Sequence, residues 1–186
     1  SIPHDFSKAS YIPEGEKEIY WSAVDKSGIR NIFHSVYQDT IWSVPALLNE
    51  HMTSISDEIY PMLSPDGSQM YFSSAGLYGV GGYDIYVSEW DKESGDWSVP
   101  VNMGFPYSSP SDDFLFVNTD DGKHSIFASN RNCSKDSVWV YVLAYEDMPV
   151  RRAVTDPEEL KAVAALDPQT SRTAEKGTVV EADIPE

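Results

Sequence analysis

The tetrapeptide Trp-Ser-Val-Pro occurs twice, at Trp42–Pro45 and at Trp97–Pro100, and its copies lie 55 residues apart. Three further pairs share this interval: Asp57-Glu58 with Asp112-Asp113, Asp66-Gly67 with Asp121-Gly122, and Tyr71–Ser74 with Ile126–Ser129. A degraded earlier copy runs from Ile19 to the first tetrapeptide. A fixed period of this size indicates a fold built from repeated supersecondary units.

Composition places the chain among globular proteins. Its 186 residues are 41% hydrophobic and 12% aromatic, which fits a packed core. No apolar stretch is long enough to span a bilayer as a helix, and the single cysteine, Cys133, excludes an internal disulfide. The formal net charge of −17 disfavours nucleic acid and anionic lipid as partners, because both are negatively charged. This charge favours solubility over a dedicated cationic partner.

The middle copy of the repeat has the pattern of four antiparallel strands. We predict them at Glu58–Leu63, Gln69–Ser74, Tyr83–Trp90 and Trp97–Val101. Between the first two lies Ser64-Pro65-Asp66-Gly67, in which Pro presets one turn dihedral, Asp accepts local backbone bonds and Gly takes a positive φ. Four short strands that recur with regular turns are typical of a β-propeller blade.

The third copy repeats the first three strands, at Phe114–Val117, Ser125–Ser129 and Val138–Tyr145. We therefore predict an all-β fold with blades at about 1–50, 51–107 and 108–150, followed at 151–186 by a short helix and a flexible acidic tail. The helix should begin near Thr155–Glu159, with Thr155 or Asp156 as its cap.

The repeated tetrapeptide suits the outermost strand of each blade. Proline has no amide hydrogen and is confined to sheet edges, where it blocks pairing with other chains. The large ring of Trp42 or Trp97 is expected to pack between neighbouring sheets.

Ser64–Gly67 followed by Met70–Ser74 resembles the Pro-Asp repeat of TolB-like β-propellers, which are relatives of the WD-repeat propellers. Asp121-Gly122 with Phe127–Arg131 resembles it again, and Gly81–Tyr86 with Trp97–Gly104 looks like the variant found in envelope proteins of Gram-negative bacteria. The resemblance implies a place in the periplasm or at the outer membrane, in a protein that often carries a lipid anchor or an OmpA-like domain elsewhere.

About three blades are present, whereas propellers close with four to eight. An incomplete ring leaves apolar sheet faces uncovered, which costs free energy. We expect that the chain is a segment of a longer protein or that another chain completes the ring.

Two acidic pairs precede the first strand of their blades, where a propeller has its central channel: Asp57-Glu58 and Asp112-Asp113. They could bind a cation such as calcium or act as an acid and base pair in sugar hydrolysis. Because the pairs repeat, we favour a structural role in the turns over ligand binding, and ligand binding over catalysis.

The loop between the second and third strands of the middle copy carries Gly76, Gly79, Gly81 and Gly82. Tyr78 and Tyr83 on this loop could stack on a sugar or a peptide, but we favour packing between blades as the role of such aromatic residues. No helix follows these glycines, so a dinucleotide site is excluded. The sequence shows no zinc-binding histidine spacing and no hydrolase elbow. We predict no catalytic residues, no cofactor and no metal apart from the calcium hypothesis.

These observations favour a noncatalytic binding or scaffold module that presents a rigid propeller face to a protein or peptide. Two alternatives stay open: a propeller that binds or cleaves glycans through the channel carboxylates, and the gating propeller of a split peptidase.

Overall fold

The computed structural model describes residues 10–11, 17–119, 121–134, 136–144, 156–159, 161 and 166. Thirteen strands form three sheets within these residues. The first sheet contains β1 (Ser10–Tyr11), β2 (Glu18–Val24), β3 (Arg30–Gln38), β4 (Ile41–Trp42) and β5 (Ala46–Leu47). The second contains β6 (Glu58–Leu63), β7 (Gln69–Ser74), β8 (Asp84–Asp91), β9 (Asp96–Trp97) and β10 (Val101–Asn102). The third contains β11 (Asp113–Asn118), β12 (His124–Ser129) and β13 (Trp139–Ala144).

Each sheet is an antiparallel meander in chain order. β1, β2 and β3 pair in sequence, and β4 and β5 both pair with β3; β6, β7 and β8 repeat this order, with β9 and β10 both on β8. β11, β12 and β13 follow the same path. The predicted all-β class, with blade-like antiparallel sheets, is confirmed.

The predicted tight turns form with the same chemistry in two sheets. Between β6 and β7, Gly67 has a φ of 70° and its amide donates to the Ser64 carbonyl at 2.9 Å. The Asp66 carboxylate accepts bonds from Ser64 and Ser68, which lower its pKa to about 2. Between β11 and β12 the matching bonds run from Thr119 and Lys123 to Asp121.

The predicted continuous fourth strand, Trp97–Val101, is wrong because the tetrapeptide interrupts it. Serine hydroxyls replace backbone groups in two of the bonds here. The Glu89 amide donates to the Ser98 hydroxyl oxygen at 3.0 Å, and the Ser88 hydroxyl donates to the Ser98 carbonyl at 2.7 Å. Ser43 makes the same contacts with β3, at 3.0 Å and 3.2 Å. Ser43 and Ser98 thus each lie in a β-bulge, and the bulge ends at Pro45 or Pro100.

A second bulge repeats in β6 and β11, the first strands of the second and third sheets. The pairing of β6 with β7 shifts between Ile59 and Met62, and that of β11 with β12 shifts between Phe114 and Val117. Tyr60 and Leu115, 55 residues apart, occupy the bulges with φ of 55° and 56°. Positive φ is uncommon for residues of this size, so its recurrence marks a shared feature of β6 and β11.

The first and second sheets pack face to face through one hydrophobic cluster. Its buried members are Tyr20, Ile32, Leu48, Met52, Met70, Phe72, Tyr86 and Trp97. The Trp97 side chain is only 4% exposed and its ring meets that of Tyr20 edge-on at 6.0 Å between centroids. Trp97 therefore packs between sheets, as predicted.

A second cluster joins the second and third sheets. It contains Tyr71, Ile85, Met103, Tyr107, Phe116 and Phe127. Neighbours on β7 point to opposite sides, so Phe72 enters the first cluster and Tyr71 the second. The second sheet is thus sandwiched between the other two, and the three sheets stack in chain order.

Trp42 does not share the environment of Trp97. Each ring packs on the aromatic side chain that pairs with it across the strands, Trp42 on Tyr37 and Trp97 on Trp90, at 5.2 Å in both cases. Trp42, however, is half-buried and lies outside both clusters. The prediction that both rings pack between sheets is wrong for Trp42, because within the described ranges no sheet precedes the first one.

The helix begins as predicted, with Asp156 as its cap. Its Oδ1 atom accepts bonds from the amides of Glu158 at 3.0 Å and Glu159 at 2.9 Å, and residues 157–159 and 161 are helical. Leu166 packs against the second cluster. The predicted tail lies outside the described residues, and in the part that is described no helix could cross a membrane.

Replacing each tryptophan by alanine distinguishes the stability that comes from stacking two sheets from the stability that comes from local strand pairing. Trp97→Ala should destabilise the fold by about 3–5 kcal/mol, because it opens a cavity between two sheets. Trp42→Ala, in the same tetrapeptide, should cost only about 1 kcal/mol. Urea unfolding of both variants measures this difference, and equal losses would contradict the stacked arrangement.

Candidate functional site at the loop end of the sheets

The connections between strands gather at two ends of the stack because neighbouring strands run in opposite directions. We call one of them the loop end; it contains segments 25–29, 48–57, 75–83, 103–112 and 130–138. The tight turns at 64–68 and 119–123 lie at the opposite end. All six residues predicted for the site, Asp57, Glu58, Tyr78, Tyr83, Asp112 and Asp113, lie at the loop end.

Asp57 and Asp112 each tie one sheet to the next. Asp57 precedes β6, and its Oδ1 atom accepts a bond of 2.9 Å from the amide of Arg30 in the first sheet. Asp112 precedes β11, and its Oδ1 atom accepts a bond of 3.1 Å from the amide of Tyr83 in the second sheet. Arg30 is the first residue of β3 and Tyr83 directly precedes β8, the third strands of their sheets. The same inter-sheet contact is therefore made twice.

Glu58 and Asp113 are buried and hold the segments that connect successive sheets. The Glu58 Oε1 atom accepts bonds from the hydroxyls of Ser54 at 2.5 Å and Ser74 at 2.8 Å. The Asp113 Oδ2 atom accepts bonds from the Ser109 amide at 2.6 Å and hydroxyl at 2.7 Å. Ser54 and Ser109 precede their acids by four residues each, a repeated signal in the sequence that our sequence analysis missed.

The two buried acids differ in charge compensation. Asp113 forms an ion pair with Arg131, whose guanidinium also donates to the Pro106 carbonyl at 2.8 Å and lies over the Phe127 ring at 5.3 Å. Gly76 occupies the position that matches Arg131 in the preceding copy. Within the described ranges no lysine or arginine pairs with Glu58. Burial therefore raises the pKa of Glu58, against the opposing effect of the two serine hydroxyls.

Tyr83 brings three of the predicted residues together. Its hydroxyl donates to the Asp57 Oδ2 atom at 3.2 Å, while its amide donates to Asp112. Burial raises the pKa of Tyr83, and the carboxylates of Asp57 and Asp112 add to that rise. The Tyr83 ring is half-buried. Its contacts make it a bridge between the two linking aspartates.

Tyr78 stands apart from the carboxylates and is fully exposed. It lies on the glycine-rich loop, near the exposed side chain of Val80. Ile55, on the connection between the first and second sheets, is also exposed. These three apolar side chains belong to the loop end, and the sequence analysis identified only Tyr78 among them.

The glycines let this loop pack closely against its neighbours. A Cβ atom on Gly79 would lie 1.7 Å from the Asp84 Oδ2 atom, and one on Gly81 would lie 2.1 Å from the Ser111 carbonyl oxygen. The Asp84 carboxylate in turn accepts bonds from the amides of Val80 at 2.6 Å and Gly81 at 3.1 Å. The loop that carries Tyr78 is thus held in place by the hydrogen bonds and close contacts of its backbone.

The geometry also bears on metal binding. The four candidate carboxylates accept hydrogen bonds from backbone amides and side chains of the protein itself. In the part of the chain that the structure describes, no group of three or more His, Cys, Asp or Glu residues is arranged to hold a metal ion. Calcium binding stays a prediction.

Comparison with known proteins yields a partial likeness to solved structures. No protein-family profile matches the chain, and no curated protein sequence matches it. The crystal structure of TolB from Acinetobacter baumannii is similar, with a TM-score of 0.45 and 16% sequence identity over 69% of this chain. The match covers 27% of the TolB chain, so this chain spans about a quarter of that protein. Membership of the TolB-like family stays a prediction from the repeat motifs.

The raised pKa of Glu58 predicts how its contribution to stability depends on pH. A buried acid whose pKa is raised in the folded state holds its proton there after the unfolded chain has lost it, so its contribution is full below the ordinary carboxyl pKa, about pH 4, and is lost as pH rises through the raised value. Glu58→Gln should therefore gain stability relative to the wild type between pH 4 and pH 8.

Urea unfolding across this pH range measures the gain. Glu89→Gln is the control, because it removes the same charge from an exposed side chain on β8. Its stability should follow the wild type at each pH. Parallel pH curves for wild type and Glu58→Gln would show that Glu58 is not kept protonated by burial.

Proposed function

We propose that the chain is a noncatalytic binding module that presents the loop end of its stacked sheets to a protein or peptide partner. One observation carries the proposal: exposed apolar side chains stand on loops whose backbones are held by buried polar contacts. Ile55, Tyr78 and Val80 are the three exposed residues on which the proposal rests. Binding to such a surface costs little ordering entropy, because the loops are already fixed.

The contacts that fix the loops lie directly beside the exposed side chains. The Ser54 hydroxyl, next to Ile55, binds Glu58, and the Ser56 amide donates to the Ser54 hydroxyl oxygen at 3.1 Å. The amide of Val80 donates to Asp84. Rigid apolar and aromatic anchors of this kind dominate the energy of many protein interfaces.

The structural hydrogen bonds that occupy the four carboxylates favour binding over catalysis as the function of this end. Asp57 and Asp112 link sheets, and Glu58 and Asp113 hold the connecting segments, so each has a structural task. The repeat motifs, which resemble those of Gram-negative envelope propellers, support a place in the cell envelope. A glycan-binding role is the second candidate, because the exposed ring of Tyr78 could stack on a sugar.

A peptide selection tests where the chain binds. Peptides enriched on the wild-type chain from a random dodecapeptide library displayed on phage are synthesised, and their footprint is mapped from amide shifts in two-dimensional NMR spectra. We expect perturbed amides in segments 53–56 and 77–82. Ile55→Ser and Tyr78→Ala should each weaken binding at least tenfold, a cost of about 1.4 kcal/mol.

Ile41→Ser is the matched control, since Ile41 is an exposed isoleucine that lies away from the loop end. It should bind the selected peptides as the wild type does. A footprint centred on the tight turns at 64–68 and 119–123, or equal losses in Ile41→Ser and Ile55→Ser, would contradict the proposed function.

A further inference from the structure

A pocket of about 360 Å³ opens where the second sheet meets the segment that connects it to the first. Two strand residues line it, Tyr86 of β8 and Asn102 of β10, which we call its polar floor, and Tyr78 and Glu50 line it as well. Pro100 of the second Trp-Ser-Val-Pro copy also lines it. This volume lies within the range of small-ligand sites.

The polar floor is specific to the second sheet. Tyr86 pairs with Asn102 across the strands. The matching pair in the first sheet is Phe33 with Leu47, two apolar residues that line a shallow surface pocket there. The same cross-strand pair therefore differs between the two sheets, and only the pair in the second sheet has side chains that can form hydrogen bonds.

The Tyr86 hydroxyl has unused hydrogen-bonding capacity. The residue is only 3% exposed, and its hydroxyl has no hydrogen-bond partner among the described residues. The Asn102 side chain lies near enough to oppose the rise in the Tyr86 pKa that burial causes, but the two groups do not meet hydrogen-bond geometry. A buried polar group without a partner costs free energy that a bound ligand could recover.

The charge of the lining favours a cation. Glu50 contributes a carboxylate, the other titratable side chains of the lining are His51, Tyr78 and Tyr86, and no lysine or arginine is among the lining residues, on a chain of net charge −17. The exposed ring of Tyr78 offers a face on which a guanidinium could stack. Arginine fits these groups better than lysine, because its planar side chain both stacks on a ring and donates several bonds in a fixed geometry.

We propose that this pocket binds an arginine side chain of the protein or peptide partner, with the guanidinium between Tyr78 and Glu50 and a hydrogen bond to the Tyr86 hydroxyl. The inference rests on the proposed function and adds the residue type that the partner must present. Asn102, whose Oδ1 atom accepts a bond from the Gly104 amide at 2.8 Å, is held in place at the floor.

The blocked tripeptide acetyl-Gly-Arg-Gly-amide is the probe, and acetyl-Gly-citrulline-Gly-amide is its neutral counterpart of nearly the same shape. Titration of each into the chain, followed by NMR, gives the two dissociation constants. We expect the arginine peptide to bind with a Kd of about 1–10 mM, and the citrulline peptide to bind at least threefold more weakly. Added salt should weaken only the arginine peptide.

Three variants locate the site. Tyr78→Ala should weaken the arginine peptide about threefold to fivefold, through loss of the cation–π contact. Glu50→Gln should weaken it about twofold to fivefold, whereas Glu93→Gln, which removes the same charge from an exposed turn, should leave it unchanged. Tyr86→Phe should weaken it without loss of thermal stability, because the hydroxyl has no hydrogen-bond partner among the residues that the structure describes.

The outcomes separate this inference from the function on which it rests. Equal binding of the arginine and citrulline peptides, or equal losses in Glu50→Gln and Glu93→Gln, would overturn the arginine site. If library peptides still bound at the loop end, the binding module would stand without this pocket. Binding of N-acetylglucosamine with amide shifts at Tyr78, and no binding of the arginine peptide, would overturn it in favour of a sugar site.

Discussion

Successive sheets are joined by the hydrogen bonds from the Arg30 amide to Asp57 and from the Tyr83 amide to Asp112. Hydrophobic packing brings the faces together, but it is non-directional and leaves their relative position open. A bond between a carboxylate and an amide has strict geometry. Made at the same point in both junctions, it fixes how far one sheet is offset from the next.

Contacts at these junctions also hold the segments of the loop end in fixed positions. The acid that follows each linking aspartate, Glu58 or Asp113, holds the connecting segment through Ser54 or Ser109. Tyr83 joins both aspartates, and the glycine loop beside it packs too closely to admit a Cβ atom. Exposed anchors such as Tyr78 therefore stand on a preorganised surface, which is the physical basis for treating this end as a binding face.

The 55-residue period was sufficient to predict the antiparallel sheets, the turns at Asp66 and Asp121, and the burial of Trp97. It did not predict the break at Ser98, because a serine whose side chain replaces a backbone partner has no distinct pattern. It also failed for Trp42, since burial depends on a neighbouring sheet and not on the local motif. The repetition of the acidic pairs was enough to single out four residues that lie at one end of the sheets, and their role as a site stays a prediction. The pocket at Tyr86 was missed, because its polar floor arises where two copies of the repeat differ.

Amide hydrogen exchange at Tyr83 tests most directly whether the linking aspartates set the stacking. In Asp112→Ala the Tyr83 amide should exchange about tenfold faster or more, as expected for loss of a bond to a charged group. The Arg30 amide, whose acceptor Asp57 is intact, should keep its wild-type rate after correction for global stability. Unchanged exchange at Tyr83, or equal acceleration at both amides, would contradict the account.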